Sequence, residues 1–147
     1  MACVDLAGLE RWGRALGRIA VHDRVFVALD GPLGAGKTTL VKACCEGAGV
    51  PGPVTSPTFT LVQRYGAGPT VHHVDLYRIA RDEDLREIGW RDLTAGDGAV
   101  FVEWAGRAGT RLPPDRWDVR LDIPGAGACR SVRASALGRA PALPEID

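Results

Sequence analysis

Gly31, Gly36, Lys37 and Thr38 fall in the order G-x-x-x-x-G-K-T within VALDGPLGAGKTTLVKACCEGAG, residues 27 to 49. Residue types at this spacing suit phosphate chemistry. Glycines let successive backbone N–H groups converge on one anion, and a helix starting there adds the partial positive charge of its N-terminus. The lysine of such a loop reaches the β- and γ-phosphates of a nucleoside triphosphate, and the hydroxyl after it ligates Mg²⁺. Lys37 and Thr38 hold those two places, and Gly34, Ala35, Gly36 and Thr39 complete the binding loop. Pro32 carries no N–H, so the donors are expected mainly from Gly34 through Thr38.

A phosphate loop needs an acid to hold Mg²⁺ or its waters, usually at the end of a neighbouring buried strand. VFVEW places Glu103 there, the first choice for a metal-arranging carboxylate. HVDLYR offers Asp75 at the end of another strand, suited to polarising an attacking water. His73 precedes Asp75 by two residues and so shares its strand face; it reads equally as a core imidazole. Trp104 reads as core or as a wall of the nucleotide site. In TSPTF, Ser56 and Thr58 stand where nucleotide switches sense a γ-phosphate, although plain turn chemistry explains them too. The chain has no asparagine, so the guanine-reading N-K-x-D signature is absent and ATP is favoured over GTP.

These residues require particular elements behind them. RVFVALD, 24 to 30, is a continuous apolar run of the kind buried on both faces of a parallel sheet, and it feeds the loop. A helix is predicted from Lys37 to about Glu46, and Leu6, Leu9, Gly13, Leu16 and Ala20 predict an amphipathic helix over 5–20. FTLVQRY and TVHHVDL read as strands around the turn signal GAGP, and AVFVEWA, 99 to 105, as a further buried strand. RDEDLREIGW predicts one short helix starting near Asp82. RWDVRLDIP and CRSVRASALG alternate about GAGA and predict a closing antiparallel hairpin. The sum is an α/β fold: a three-layer domain like that of the phosphate-loop NTPases, with a mixed, largely parallel sheet and a C-terminal hairpin. Residues 1–138 form the single domain, and 139–147, which lack periodicity, are expected as a mobile tail.

The 147 residues suffice for one core without staples. Basic and acidic residues number 18 each, so the overall charge implies no field for gripping nucleic acid or an anionic membrane. No segment approaches the roughly 20 apolar residues that span a bilayer, and the N-terminus has no apolar signal core. A cytoplasmic location is expected, with Cys3, Cys44, Cys45 and Cys129 as reduced, mostly buried thiols.

In order and spacing the motifs resemble those of the TsaE family (formerly YjeE), the small ATPase of bacterial tRNA threonylcarbamoyladenosine synthesis. The likeness covers roughly residues 5–138. LDGPLGAGKTTLV is similar to the family's phosphate loop, VTSPTFTLVQRY to its switch-like segment and HHVDLYRI to its H-x-D-x-Y-R motif. DEDLREIGW resembles its acidic helix and VFVEWAGRA its Glu-Trp strand. The resemblance implies that Lys37 binds phosphate, that Thr38 and Glu103 arrange Mg²⁺, that Asp75 is required for hydrolysis, and that Thr58 belongs to a nucleotide-sensitive loop. Pro32 departs from the acidic residue expected after the first loop glycine. The implied partners are TsaB and the catalytic TsaD, with tRNA reached only through that complex. Tyr77, Arg78 and the acidic segment from Asp82 to Glu87 are candidates for docking them. Two other functions use the same loop: a nucleotide-gated assembly factor without catalysis, and a small-molecule kinase. A kinase needs an acceptor pocket and an arginine-bearing lid, for which residues 69–104 leave little room.

Overall fold

Period-two burial along a seven-stranded sheet sorts the core into two layers. The computed structural model describes residues 2–54, 62–66, 70–125, 127 and 129–146. Its strands are β1 (Ala2–Val4), β2 (Phe26–Asp30), β3 (Val62–Tyr65), β4 (Val71–Asp75), β5 (Ala99–Glu103), β6 (Arg116–Asp122) and β7 (Arg130–Leu137), in spatial order β1-β7-β6-β2-β5-β4-β3. The central four, β6, β2, β5 and β4, pair in parallel. β3 closes one edge antiparallel to β4, while β7 and then β1 extend the other edge in antiparallel pairs. The sheet is mixed and largely parallel, with the expected hairpin of β6 and β7.

Odd-numbered positions of β2, β4, β5 and β6 (Val27, Leu29, Val71, Phe101, Trp117, Val119, Leu121) join one cluster with Leu9, Trp12, Leu16, Leu40, Val41 and Cys44. Those last six lie on α1 (Leu6–Asp23) and α2 (Lys37–Gly47), which therefore cover that face. Even-numbered positions (Phe26, Ala28, Val74, Val100, Val102) pack with Leu85, Trp90, Leu93, Ala105 and Ala108 on the other. That layer is built from α3 (Asp82–Glu87), α4 (Trp90–Leu93) and a 3-10 segment, Ala105–Arg111. Leu16 and Trp117 are wholly buried; truncating such a leucine to alanine costs about 2–5 kcal/mol.

α1 starts at Asp5, whose carboxylate accepts the Gly8 N–H at 2.8 Å. Its buried stripe follows the expected spacing from Leu9 to Ala20, but Leu6 is exposed. α1 and α2 approach through glycine: a Cβ on Gly17 would lie 1.8 Å from the Cys44 carbonyl oxygen, and one on Gly47 2.0 Å from that of Arg14.

Several expectations are corrected. The single helix predicted from Asp82 is two, broken at Gly89, whose φ of 78° does not continue a right-handed turn. β1 was not expected; three residues carry no period, and only the β7 edge makes them a strand. Cys44 and Cys45 are buried thiols as expected, and desolvation pushes Cys45 up to about 12 and Cys44 well above its ordinary value. Cys3 and Cys129 instead form a disulfide, because β1–β7 pairing brings their Cα atoms to 5.7 Å. The terminal segment, expected as a mobile tail, is placed against the domain. The indole N–H of Trp12 donates to the Pro144 carbonyl at 2.9 Å and that of Trp117 to Pro141 at 2.7 Å. Hydrogen bonds from core tryptophans to prolyl carbonyls leave no trace in periodicity.

Candidate functional site

β2 lies at the middle of the parallel strands, and the loop from its carboxyl end into α2 crosses the crevice where such sheets bind ligands. Two glycines make the crossing possible. Gly31 has φ 148°, and a Cβ there would sit 2.2 Å from the Leu121 carbonyl oxygen on β6. Gly36 caps α2 at φ 107°, which turns the chain so that Lys37 begins the helix.

Lys37 is buried, and its Nζ donates to the carbonyls of Gly31 at 2.6 Å and Pro32 at 2.9 Å. It also lies 4.0 Å from the centroid of the Trp104 ring. Burial draws the Lys37 pKa down, opposed by the charges of Glu103, Asp30 and Asp75. The Thr38 hydroxyl donates to Glu103 Oε1 at 2.8 Å. Glu103 is the last residue of β5 and almost fully buried. Its other oxygen, Oε2, meets Nε2 of His73 at 2.5 Å.

Asp75 ends β4 in register with Glu103 across the parallel ladder. Its Oδ1 accepts the Tyr77 N–H at 2.9 Å. Burial raises its pKa, the Tyr77 hydrogen bond lowers it, the Glu103 charge raises it further, and His73 and Lys37 oppose that rise. Trp104 follows Glu103 in the left-handed region at φ 58°, ψ 40°. For a bulky residue that conformation costs of order 1–3 kcal/mol and persists only where the surroundings impose it. Here the ring is held between Lys37 and Tyr77, whose ring centroid is 4.9 Å away, and the Gly106 N–H donates to Asp30 Oδ1 at 2.9 Å.

These groups surround a cleft of about 430 Å³ lined by Leu33, Gly34, Gly36, Lys37, Thr38, Thr39, Asp75, Tyr77, Arg78, Glu103 and Trp104. The structure thus brings together Lys37, Asp75, Glu103, Gly34, Gly36, Thr38, Thr39 and Trp104. Ala35 differs: it is fully buried, and its N–H donates to the Pro32 carbonyl at 3.1 Å rather than into the cleft. Thr58 and Ser56 lie outside the described residues. Tyr77 and Arg78, read from sequence only as docking candidates, line the cleft itself; their position two and three residues after Asp75 was the available signal. His73 is wholly buried, on the same strand face as Asp75.

The donor set is hydroxyl and carboxylate oxygen, the hard ligands that Mg²⁺ takes alongside phosphate oxygens. Thr38 Oγ1 and Glu103 Oε1 already meet at 2.8 Å, so one cation between them is a sound fit to this chain's residues. Among the described residues no cluster of three or more His, Cys, Asp or Glu is poised to cage a metal alone. Among the same residues no helix is long and apolar enough to cross a membrane.

Comparison with known proteins gives a consistent result. Residues 4–131 match the family model described as threonylcarbamoyl adenosine biosynthesis protein TsaE. The TsaE protein of Treponema pallidum is 40% identical over 115 residues, covering 77% of this chain and 84% of the relative. That of Haemophilus influenzae is 39% identical over 114 residues, covering 77% and 72%. The crystal structure of YdiB from Bacillus subtilis superposes with a TM-score of 0.74 at 26% identity, covering 92% of this chain and 82% of that one. Family model, relatives and fold agree, and the chain belongs to the TsaE family of proteins for tRNA threonylcarbamoyladenosine biosynthesis.

Proposed function

We propose that this chain is a Mg²⁺-dependent ATPase that supports tRNA threonylcarbamoyladenosine modification within a cytoplasmic complex with TsaB and TsaD. The observation that carries the reading is the meeting of Lys37, Thr38, Glu103 and Asp75 in one cleft at the carboxyl ends of β2, β5 and β4. Lys37 supplies positive charge to the β- and γ-phosphates, exchanging its contacts with the Gly31 and Pro32 carbonyls for phosphate oxygens. Backbone N–H groups at the start of α2 add donors at the helix N-terminus. Thr38 and Glu103 would hold Mg²⁺, which would supply neutralising charge to the phosphates.

Asp75, oriented through Oδ1, accepts a proton from the attacking water. Its burial keeps proton affinity above that of a solvated aspartate, which suits a base. The water oxygen bonds to the γ-phosphorus as the bond to the β–γ bridging oxygen breaks. ADP leaves with that electron pair, and the proton passes from Asp75 to solvent with inorganic phosphate. This reaction is separate from threonylcarbamoyl transfer, and it resets or licenses the complex between turnovers. Balanced charge fits a subunit that meets tRNA only through its partners.

The test is phosphate release from Mg²⁺-ATP by the protein alone and with the TsaB–TsaD pair. Strong stimulation by the pair is expected. Bound partners with no stimulation would reduce the reading to a nucleotide-gated assembly factor. ADP formed only with a small-molecule acceptor and without free phosphate would indicate a kinase.

A further inference from the structure

His73 has no assigned place in the chemistry above, yet it touches the residue at its centre. It stands on β4, 30 residues before Glu103, and its ring is wholly buried. Nε2 lies 2.5 Å from Glu103 Oε2, while Nδ1 has no hydrogen-bond partner among the described residues. The unpaired nitrogen fixes the direction of the bond. A hydrogen on Nδ1 would bury an N–H with nothing to receive it, whereas a bare lone pair there is the cheaper omission. The hydrogen therefore sits on Nε2 and is donated to the carboxylate.

Each oxygen of Glu103 then has its own donor: His73 Nε2–H on Oε2 and the Thr38 hydroxyl on Oε1 at 2.8 Å. A carboxylate held at both oxygens cannot rotate about its terminal bond. Without His73, Oε2 would be a buried acceptor with its partner removed, and the carboxylate would turn to recover a second bond. The strand register sets this up, since His73 and Asp75 share one face of β4 while Glu103 ends the neighbouring β5. A core histidine filling space would need none of this alignment.

We propose that His73 is a positioning residue that locks the Glu103 carboxylate and thereby sets the divalent-cation affinity of the cleft. The inference rests on the proposed Mg²⁺–nucleotide reading. It is tested by calorimetric binding of a non-hydrolysable ATP analogue, titrated with Mg²⁺ and repeated in EDTA, with melting temperatures in parallel. His73→Leu withdraws the donor, and His73→Asn keeps a polar side chain too short to reach Oε2. His73→Gln places an amide N–H near the position of Nε2. The cation concentration for half-maximal binding should rise about 10–100-fold in His73→Leu and His73→Asn, the usual cost of losing such an outer partner. His73→Gln should return to within a few-fold of wild type. Affinity in EDTA should be the same in all four proteins.

Unchanged cation dependence in His73→Leu or His73→Asn would overturn the proposal, as would equal losses in all three variants together with weakened binding in EDTA. If His73→Leu does not fold, the Asn and Gln pair decides alone. Wild-type binding indifferent to Mg²⁺ would defeat the parent reading, and this inference with it; cation-dependent wild type with unaltered variants defeats the inference only.

Discussion

Thr38, the second residue of α2, and Glu103, the last of β5, are joined by a hydroxyl-to-carboxylate hydrogen bond of 2.8 Å. The contact ties the phosphate loop's helix to the neighbouring parallel strand. In the proposed function the same two oxygens would hold one Mg²⁺. Residues sharing such a network couple by about 0.5–3 kcal/mol in double-mutant cycles. A cycle of Thr38→Val and Glu103→Gln, read as Mg²⁺-dependent ATP affinity, should show coupling in that range. Additive effects would mean the two oxygens do not act on one ion.

Asp75 should cost stability at neutral pH. Its folded-state pKa lies above the unfolded value of about 3.8. Between those values the folded chain binds the proton more tightly, so stability falls as pH rises through that window. Above it, the ionised carboxylate bears the full cost of burial and of facing Glu103. Asp75→Asn keeps an acceptor for the Tyr77 N–H and removes the charge. The variant should melt higher than wild type at pH 7, with the difference vanishing at a pH below the window. A lower melting temperature at pH 7 would contradict this assignment.

Trp104 should report nucleotide binding. Trp12, Trp90 and Trp117 are buried in the core, whereas Trp104 lines the cleft with Lys37 Nζ 4.0 Å from its ring centroid. Drawing Lys37 towards phosphate removes a cation from the ring face, so ATP should change tryptophan emission. Trp104→Phe should abolish the change. A signal that survives that substitution would locate the perturbation elsewhere.

Gly17→Ala tests the helix crossing under the loop. Its new Cβ would lie 1.8 Å from the Cys44 carbonyl oxygen, a backbone atom that cannot swing aside. Overpacking of this kind costs typically about 1–3 kcal/mol, which chemical denaturation would register. A Gly17→Ala protein as stable as wild type would contradict the close packing of α1 on α2.

Much of the site was legible because its parts are local. The loop from Gly31 to Thr38 is a contiguous pattern, the strand ending at Glu103 announces itself as an apolar run stopped by a carboxylate, and the strand ending at Asp75 is marked by the turn signal before it. What was not legible depends on register and on edges. His73 pairs with Glu103 only because β4 and β5 align in parallel, and no spacing along the chain encodes that contact. Ala35 looks like a cradle residue until its N–H is seen turned onto Pro32. β1 and the packed terminal segment exist through the β7 edge and two indole N–H groups, so their cause lies more than a hundred residues away or in single hydrogen bonds. Period and propensity do not register either.

Hydrolysis by this cleft is tested most directly by single-turnover phosphate release from Mg²⁺-ATP, comparing wild type with Asp75→Ala and Glu103→Ala. Wild type should release phosphate, and each variant should bind nucleotide yet turn over slower by about 10²–10³-fold, the usual loss for one preorganised group. Variants that hydrolyse ATP at the wild-type rate would contradict the account.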